Sequence, residues 1–135
     1  MKIFIQRLHA NAVLPKYAKD LDAGADLYTV EDCAVNPNSI CKIKLGVAVS
    51  IPNGYMGLVL PRSGKATQGI NCAPVPIDPS YTGEIHAIVH STSYHFIPAG
   101  TRIAQLVIIP FARAEFTTEM LDQRGDAGFN STGDN

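Results

Sequence analysis

The strongest pattern along the chain is the segment CKIKLGVAVSI at 41–51. Its odd positions are all apolar: Cys41, Ile43, Leu45, Val47, Val49 and Ile51. The even positions hold Lys42, Lys44, Gly46, Ala48 and Ser50. Side chains of an extended chain alternate between faces, so this period of two predicts a half-buried strand. IPNGY follows, and its Asn53-Gly54 step predicts a tight turn into a further strand, YMGLVL. EIHAIVHS alternates as well, with Ile85, Ala87 and Val89 on one face and His86 and His90 on the other. RIAQLVIIPF is apolar on both faces, as expected of a strand buried between layers or between subunits.

Nine prolines and eleven glycines punctuate these runs. No segment sustains helical i, i+3, i+4, i+7 spacing beyond a turn or two, and only GKATQGI predicts one short helix. Many short strands separated by turns predict an all-β sandwich or barrel with very little helix. There is no internal repeat or low-complexity stretch before the end of the chain. Residues 1–121 form one β domain in this reading. Residues 122–135, DQRGDAGFNSTGDN, carry Phe129 as their one large apolar side chain, so they are expected to be a flexible C-terminal arm.

Composition narrows the function classes. The 135 residues are 46% hydrophobic and 17% charged with a net charge of −1, enough for one self-sufficient core. No run of like charges occurs, which argues against direct nucleic-acid binding and against a polybasic membrane anchor. No apolar run approaches the roughly 18 residues of a membrane span, and MKIFIQRLHA lacks a signal-peptide core. Cys33, Cys41 and Cys72 are odd in number and lack CxxC spacing, so they read as free thiols in a reducing cytoplasm. Four histidines without an HExxH pattern give no dedicated metal cage, although a metal could arrive carried by a ligand.

Polar residues that β packing does not require fall in five clusters, each with a bland reading. Asp22 and Asp26 flank Gly24 in DAGADLY, where Asp and Gly are standard turn residues. LPRSGKA places Arg62 beside Ser63 and Gly64. A Ser-Gly step opening a helix presents backbone N–H groups to an anion, and it equally makes a plain helix cap. In APVPIDPSYTGEI, Asp78 stands in a proline-stiffened turn after Ile77, with Tyr81 three residues on. A carboxylate held there could activate a water, while Asp before Pro is also a common turn opener. Arg102 and Gln105 sit among aliphatics in AGTRIAQL, where a structural hydrogen-bond pair is the plain reading. The arm is the fifth cluster, for which a frayed terminus is the plain reading.

Taken in order, AGADLY, PRSGKA, IDPSYTGEI, GTRIAQL and RGDAGFNSTG resemble the five motifs of the trimeric dUTPase family over about 110 residues. The resemblance implies a jelly-roll, or distorted β-barrel, subunit and a homotrimer with three shared active sites. The arm of one subunit would then be a lid over a site built by the other two. The implied reaction is hydrolysis of dUTP to dUMP and pyrophosphate, which keeps uracil out of DNA and supplies dUMP for thymidylate synthesis. Asp78 would deprotonate the water that attacks the α-phosphorus, and Tyr81 would pack under the deoxyribose and exclude a 2′-hydroxyl. Arg62, Ser63, Gly64 and Gln105 would bind phosphates, with Asn71, Ile77 and His86 as further substrate contacts. From the arm, Phe129 would stack on uracil, Arg124 would pair with the γ-phosphate, and Ser131 and Thr132 would hold terminal phosphate oxygens. Mg2+ would ride mainly on the triphosphate and meet Asp26 through water. The location implied is the cytoplasm, or the host cytoplasm for a viral source.

One stretch departs from the family pattern. Before Asp78 the family usually carries a glycine-containing hairpin whose backbone reads uracil, often with an Asn. Here NCAPVPID has Pro74 and Pro76, Val75 where Gly is common, and one residue fewer. Proline has no N–H to offer a base. Two rivals are a dCTP deaminase-like or bifunctional sister enzyme and a catalytically silent trimeric binding module. The first needs a Glu on the strand after the turn, where this chain reads IHAIVHS.

Overall fold

The computed structural model describes residues 1–119. Eleven short strands and a single helical turn account for the regular structure there. The strands are β1 (Phe4–Arg7), β2 (Ala25–Tyr28), β3 (Cys33–Val35), β4 (Ser39–Lys44), β5 (Val47–Ser50), β6 (Tyr55–Pro61), β7 (Asn71–Cys72), β8 (Val75–Ile77), β9 (His86–Ser91), β10 (His95–Ile97) and β11 (Arg102–Pro110). Helix α1 (Ser63–Thr67) overlaps the GKATQGI segment where the sequence predicts one, starting one residue before it and ending at Thr67.

Four strands assemble in the order β2-β11-β6-β8, three as β4-β9-β7, and two pairs, β1-β5 and β10-β3, complete the sheets. Every strand pair is antiparallel. Leu27, Ile43, Leu45, Val47, Val59, Ile85, Val89 and Ile103 meet between the sheets and are almost wholly buried. This is the all-β jelly roll with very little helix that the sequence implies.

In the 41–51 segment Ile43, Leu45, Val47, Val49 and Ile51 are buried as the alternation predicts, but Gly46 and Ala48 are buried as well, so the exposed face ends at Lys44 and returns only at Ser50. The segment is also two strands rather than one. β4 pairs with β9, whereas β5 pairs with β1. The division falls at Gly46, whose φ of 75° lies in the left-handed region that favours glycine. The amide of Gly46 donates to Glu84 Oε2 at 2.9 Å, and its carbonyl accepts from the Leu8 amide at 2.8 Å. Leaving one ladder therefore orphans neither backbone group.

The Asn53-Gly54 turn forms with Gly54 at φ 86°, and the Tyr55 amide donates to the Pro52 carbonyl. It passes the chain from β5 to β6 in another sheet, so no hairpin results. β9 buries Ala87 and Val89 and leaves His86 and His90 half-exposed, as its alternation requires. β11 lies between β2 and β6. Ile103, Ala104 and Leu106 are buried, while Val107, Ile108 and Ile109 remain half-exposed.

Gly46→Ala should be strongly destabilising. The left-handed conformation costs a non-glycine residue about 1–2 kcal/mol. The new Cβ would also stand 2.3 Å from Val30 Cγ1 and 2.9 Å from Ala12 Cβ, and relieving such overpacking costs a further ~1–3 kcal/mol. Thermal melting at fixed protein concentration measures this, and an unchanged midpoint would contradict the junction described.

Candidate active site

The first group of candidate side chains gathers where β2, β11 and the end of β6 meet. Asp26 is opposite Gln105 in the β2–β11 register. Its amide donates to the Lys16 carbonyl at 2.7 Å, and its carbonyl accepts from the Lys16 amide. The residue is 7% exposed, so its carboxylate needs partners. Arg62 Nε lies 3.0 Å from Oδ1, and the more exposed Arg102 Nη1 lies 3.6 Å from Oδ2. Arg62 Nη1 also donates to the Arg102 carbonyl at 3.2 Å.

The turn reading of DAGADLY thus holds for one aspartate and fails for the other. Asp22 Oδ2 accepts from the Lys19 amide at 3.0 Å in a local turn. Asp26 belongs to a strand and anchors an ion-pair cluster. Gln105 Nε2 donates to the Pro61 carbonyl at 2.9 Å, in line with the structural pairing expected of a polar residue on this strand. Gly24 is what leaves room for it, since a Cβ there would stand 2.1 Å from Gln105 Oε1. Ser63 and Gly64 are exposed in the first turn of α1, which has no side-chain cap. Arg62 keeps unused guanidinium donors at the same end.

The second group surrounds the turn after β8. Ile77 is buried opposite Gly57 of β6, and Asp78 emerges exposed. The Tyr81 amide donates to the Asp78 carbonyl at 3.0 Å, closing a turn across Pro79 and Ser80. Tyr81 Oη donates to the Glu84 carbonyl at 2.7 Å, and only a glycine at 83 leaves the ring this space. His86 Nδ1 lies 3.1 Å from the same carbonyl. The Glu84 carboxylate in turn accepts from the Gly46 amide and pairs with His9 Nε2 at 3.1 Å.

These residues border a groove of about 260 Å³. Its lining combines Lys42 of β4 and Ile85, His86 and Ile88 at β9 with Val75, Pro76 and Ile77 of β8, and Tyr81 and Glu84 join the two. Asn71 lies on β7 opposite His90, next to the groove but not in its lining. No hairpin forms over 71–77: β7 pairs with β9 and β8 with β6, and no ladder joins the two. Pro74 and Pro76 lack the amides that such a ladder would use. Lys42, Glu84 and Gly24 went unremarked as site residues in the sequence. The outward parity of Lys42 in its strand was the one available sign.

The two groups are far apart in one chain. Asp78 follows Ile77, opposite Gly57, whereas Arg62 is five residues beyond Gly57 along β6, roughly 17 Å at the usual rise of a strand. Among the described residues no three His, Cys, Asp or Glu converge as a metal cage. Cys33, Cys41 and Cys72 are free. Burial pushes the Cys33 thiol up, with further repulsion from Cys41, Glu31 and Asp32, and burial likewise raises Cys72. Arg124, Phe129, Ser131 and Thr132 lie outside the described residues.

Comparison with known proteins relates the chain as a whole to others. The family model described as dUTPase matches residues 10–133. The chain is 38% identical to the deoxyuridine 5'-triphosphate nucleotidohydrolase of a Picosynechococcus species, covering 98% of this chain and 99% of that protein. A Helicobacter pylori protein of the same name is 40% identical, covering 98% and 97%. Among solved structures, a mutant dUTPase from phage phi11 of S. aureus superposes with a TM-score of 0.85 at 25% identity, covering 92% of this chain and 99% of that one. That structure concerns the coordination of a structural Mg(II) ion. A Staphylococcus bacteriophage 80alpha dUTPase mutant with dUpNHpp gives 0.85 at 27% identity, covering 97% and 98%.

Gly24→Ala tests the first group. The added Cβ must drive Gln105 off the Pro61 carbonyl, so stability should fall by about 1–3 kcal/mol. Pyrophosphate release from a nucleoside triphosphate should fall with it. Parent-like denaturation and turnover together would show that Gln105 does not need the space Gly24 leaves.

Proposed function

The chain belongs to the dUTPase family, and from that premise we propose a homotrimer whose subunits share their active sites. The activity is dUTP diphosphatase: dUTP is hydrolysed to dUMP and pyrophosphate. One observation carries the shared-site reading. The Asp78 and Arg62 groups occupy opposite ends of β6. The α- and γ-phosphorus atoms of one triphosphate are only two bridging oxygens apart. A water activated at Asp78 and phosphates held by Arg62, Ser63, Gly64 and Gln105 therefore call for two subunits. The half-exposed apolar residues of β11 support burial between protomers.

Asp78 takes a proton from the water whose oxygen bonds to the α-phosphorus. The bond from that phosphorus to the α,β-bridging oxygen breaks, and pyrophosphate leaves with the electron pair. The Pro79 turn fixes the direction of the carboxylate. Tyr81, held by the Glu84 carbonyl, packs under the deoxyribose and leaves no room for a 2′-hydroxyl. Ile77 backs the turn, while Asn71 and His86 contact the nucleoside. Segment 122–135 closes over a site built by the other two subunits. In it Phe129 stacks on uracil, Arg124 pairs with the γ-phosphate, and Ser131 and Thr132 hold terminal phosphate oxygens.

Mg2+ on the triphosphate would spread negative charge as pyrophosphate departs. Asp26 would meet it through water. Its two oxygens already face Arg62 and Arg102, which suits an outer role rather than direct ligation. A dCTP deaminase is less well supported, because β9 carries no carboxylate and Glu84 is engaged by Gly46 and His9. No helix among the described residues is long and apolar enough to cross a membrane. Free thiols suit a reducing cytoplasm, of a host cell if the source is viral.

Asp78→Asn should fold and bind dUTP while losing roughly two orders of magnitude or more in turnover, the usual worth of a positioned base. Activity within a few-fold of the parent would reduce Asp78 to a turn residue. Sedimentation at micromolar concentration should give a trimer, and a monomer mass would sink the shared-site reading. Ending the chain after Asp122 should leave the melting temperature nearly unchanged and abolish most turnover, because the lid orders the triphosphate. Full activity in that shortened protein would return the arm to the status of a frayed terminus.

A further inference from the structure

Resting on the reading that the groove holds the nucleoside, we infer that His86 Nε2 and Lys42 Nζ read the N3–O4 edge of uracil from side chains. The segment that usually supplies backbone donors has few left here. The Ala73 amide donates to the Ile88 carbonyl at 2.8 Å. Pro74 and Pro76 have no amide hydrogen, and Val75 sits in the β6–β8 ladder opposite Val59.

Strands β4 and β9 offer a matched pair. Lys42 is opposite Ile88 and Lys44 opposite His86 in the β4–β9 register. Lys42 and His86 are thus diagonal neighbours on the outward face, within reach for long side chains. Both line the groove, whereas Lys44 does not. His86 Nδ1 faces the Glu84 carbonyl, which can only accept, so the ring proton is on Nδ1. In that tautomer the imidazole presents a lone pair at Nε2.

An acceptor at His86 beside a donor at Lys42 complements uracil, whose N3–H donates and whose O4 accepts. Cytosine reverses both atoms. Its N3 would bring a lone pair against Nε2, and its amino group a hydrogen against the ammonium. Leaving both pairs unmade inside a groove rejects dCTP more strongly than a lost contact alone. Sugar choice stays with Tyr81, whose hydroxyl shares the Glu84 carbonyl with His86 Nδ1 but whose ring packs under the sugar rather than against the base edge.

The test is steady-state pyrophosphate release by the full-length protein with dUTP, dCTP and UTP. His86→Phe and Lys42→Met should each lower the dUTP-to-dCTP ratio of kcat/KM at least about tenfold. The loss should appear chiefly in KM for dUTP, with the dUTP-to-UTP ratio unchanged. Lys42→Arg, which keeps a donor, should retain most of the preference. Lys42 is exposed, so its variants test the idea even where His86→Phe folds poorly. Long-range proton–nitrogen spectra of the parent should show His86 protonated on Nδ1. Parent-like dUTP-to-dCTP ratios in folded Lys42→Met, or a ring protonated on Nε2 instead, would overturn the inference. A parent protein indifferent between dUTP and dCTP would remove the functional reading itself, and this inference with it.

Discussion

Glu84 ties the fold to the site. Its carboxylate takes up the amide that Gly46 releases when β4 ends and β5 begins, and it also pairs with His9 near the N-terminus. Its carbonyl receives the Tyr81 hydroxyl and faces His86 Nδ1. One residue thus caps a strand junction with its side chain and orients two groove residues with its backbone. The half-buried carboxylate is more valuable as an acceptor for a fixed amide than as an ion pair, since the His9 end is open to solvent screening. The neighbouring Ile85 is held separately, its carbonyl accepting from the Leu45 amide and its amide donating to the Val47 carbonyl, so Glu84 sits at a fixed place beside the strand junction.

Around that anchor, the sheets distribute the chemistry by register. β6 is the ruler: Gly57 fixes Ile77 and hence Asp78, while Pro61 fixes Gln105 through its carbonyl. β2 then brings Asp26 against Gln105, and the buried carboxylate draws in Arg62 and Arg102. Strand pairing therefore places Asp26 and Gln105 directly, and it fixes where the Asp78 turn and the Arg62 end of β6 begin. Precise placement follows, because a one-residue slip would exchange the buried and exposed faces.

Much of this was legible in the sequence, though unevenly. Alternation at 41–45 and 84–91 identified the right faces, because burial on one side of a sheet imposes it directly, whereas Gly46 and Ala48 are buried against expectation. The break at Gly46 was illegible for a physical reason: the left-handed glycine keeps the buried parity on both sides, so the pattern runs on undisturbed. Asp26 read locally as a turn residue, since its burial depends on arginines 36 and 76 positions away. The jelly roll followed from the ordered motifs, as periodicity alone leaves sandwich and barrel open. The Glu84 carboxylate and Gly24 acquire roles through partners distant in sequence, which no local pattern reveals, and for Lys42 the pattern gave only its outward parity. Arg124, Phe129, Ser131 and Thr132 stand on motif resemblance alone.

The placement of Asp78 and Arg62 at opposite ends of one strand has a genetic side under the shared-site reading. A subunit defective at its Asp78 end still lends a sound Arg62 end to its neighbour, and the reverse holds for the opposite lesion. Two inactive alleles of these kinds would complement each other inside mixed trimers, where some sites combine two intact halves. A single damaged allele, conversely, would spoil sites it only half owns.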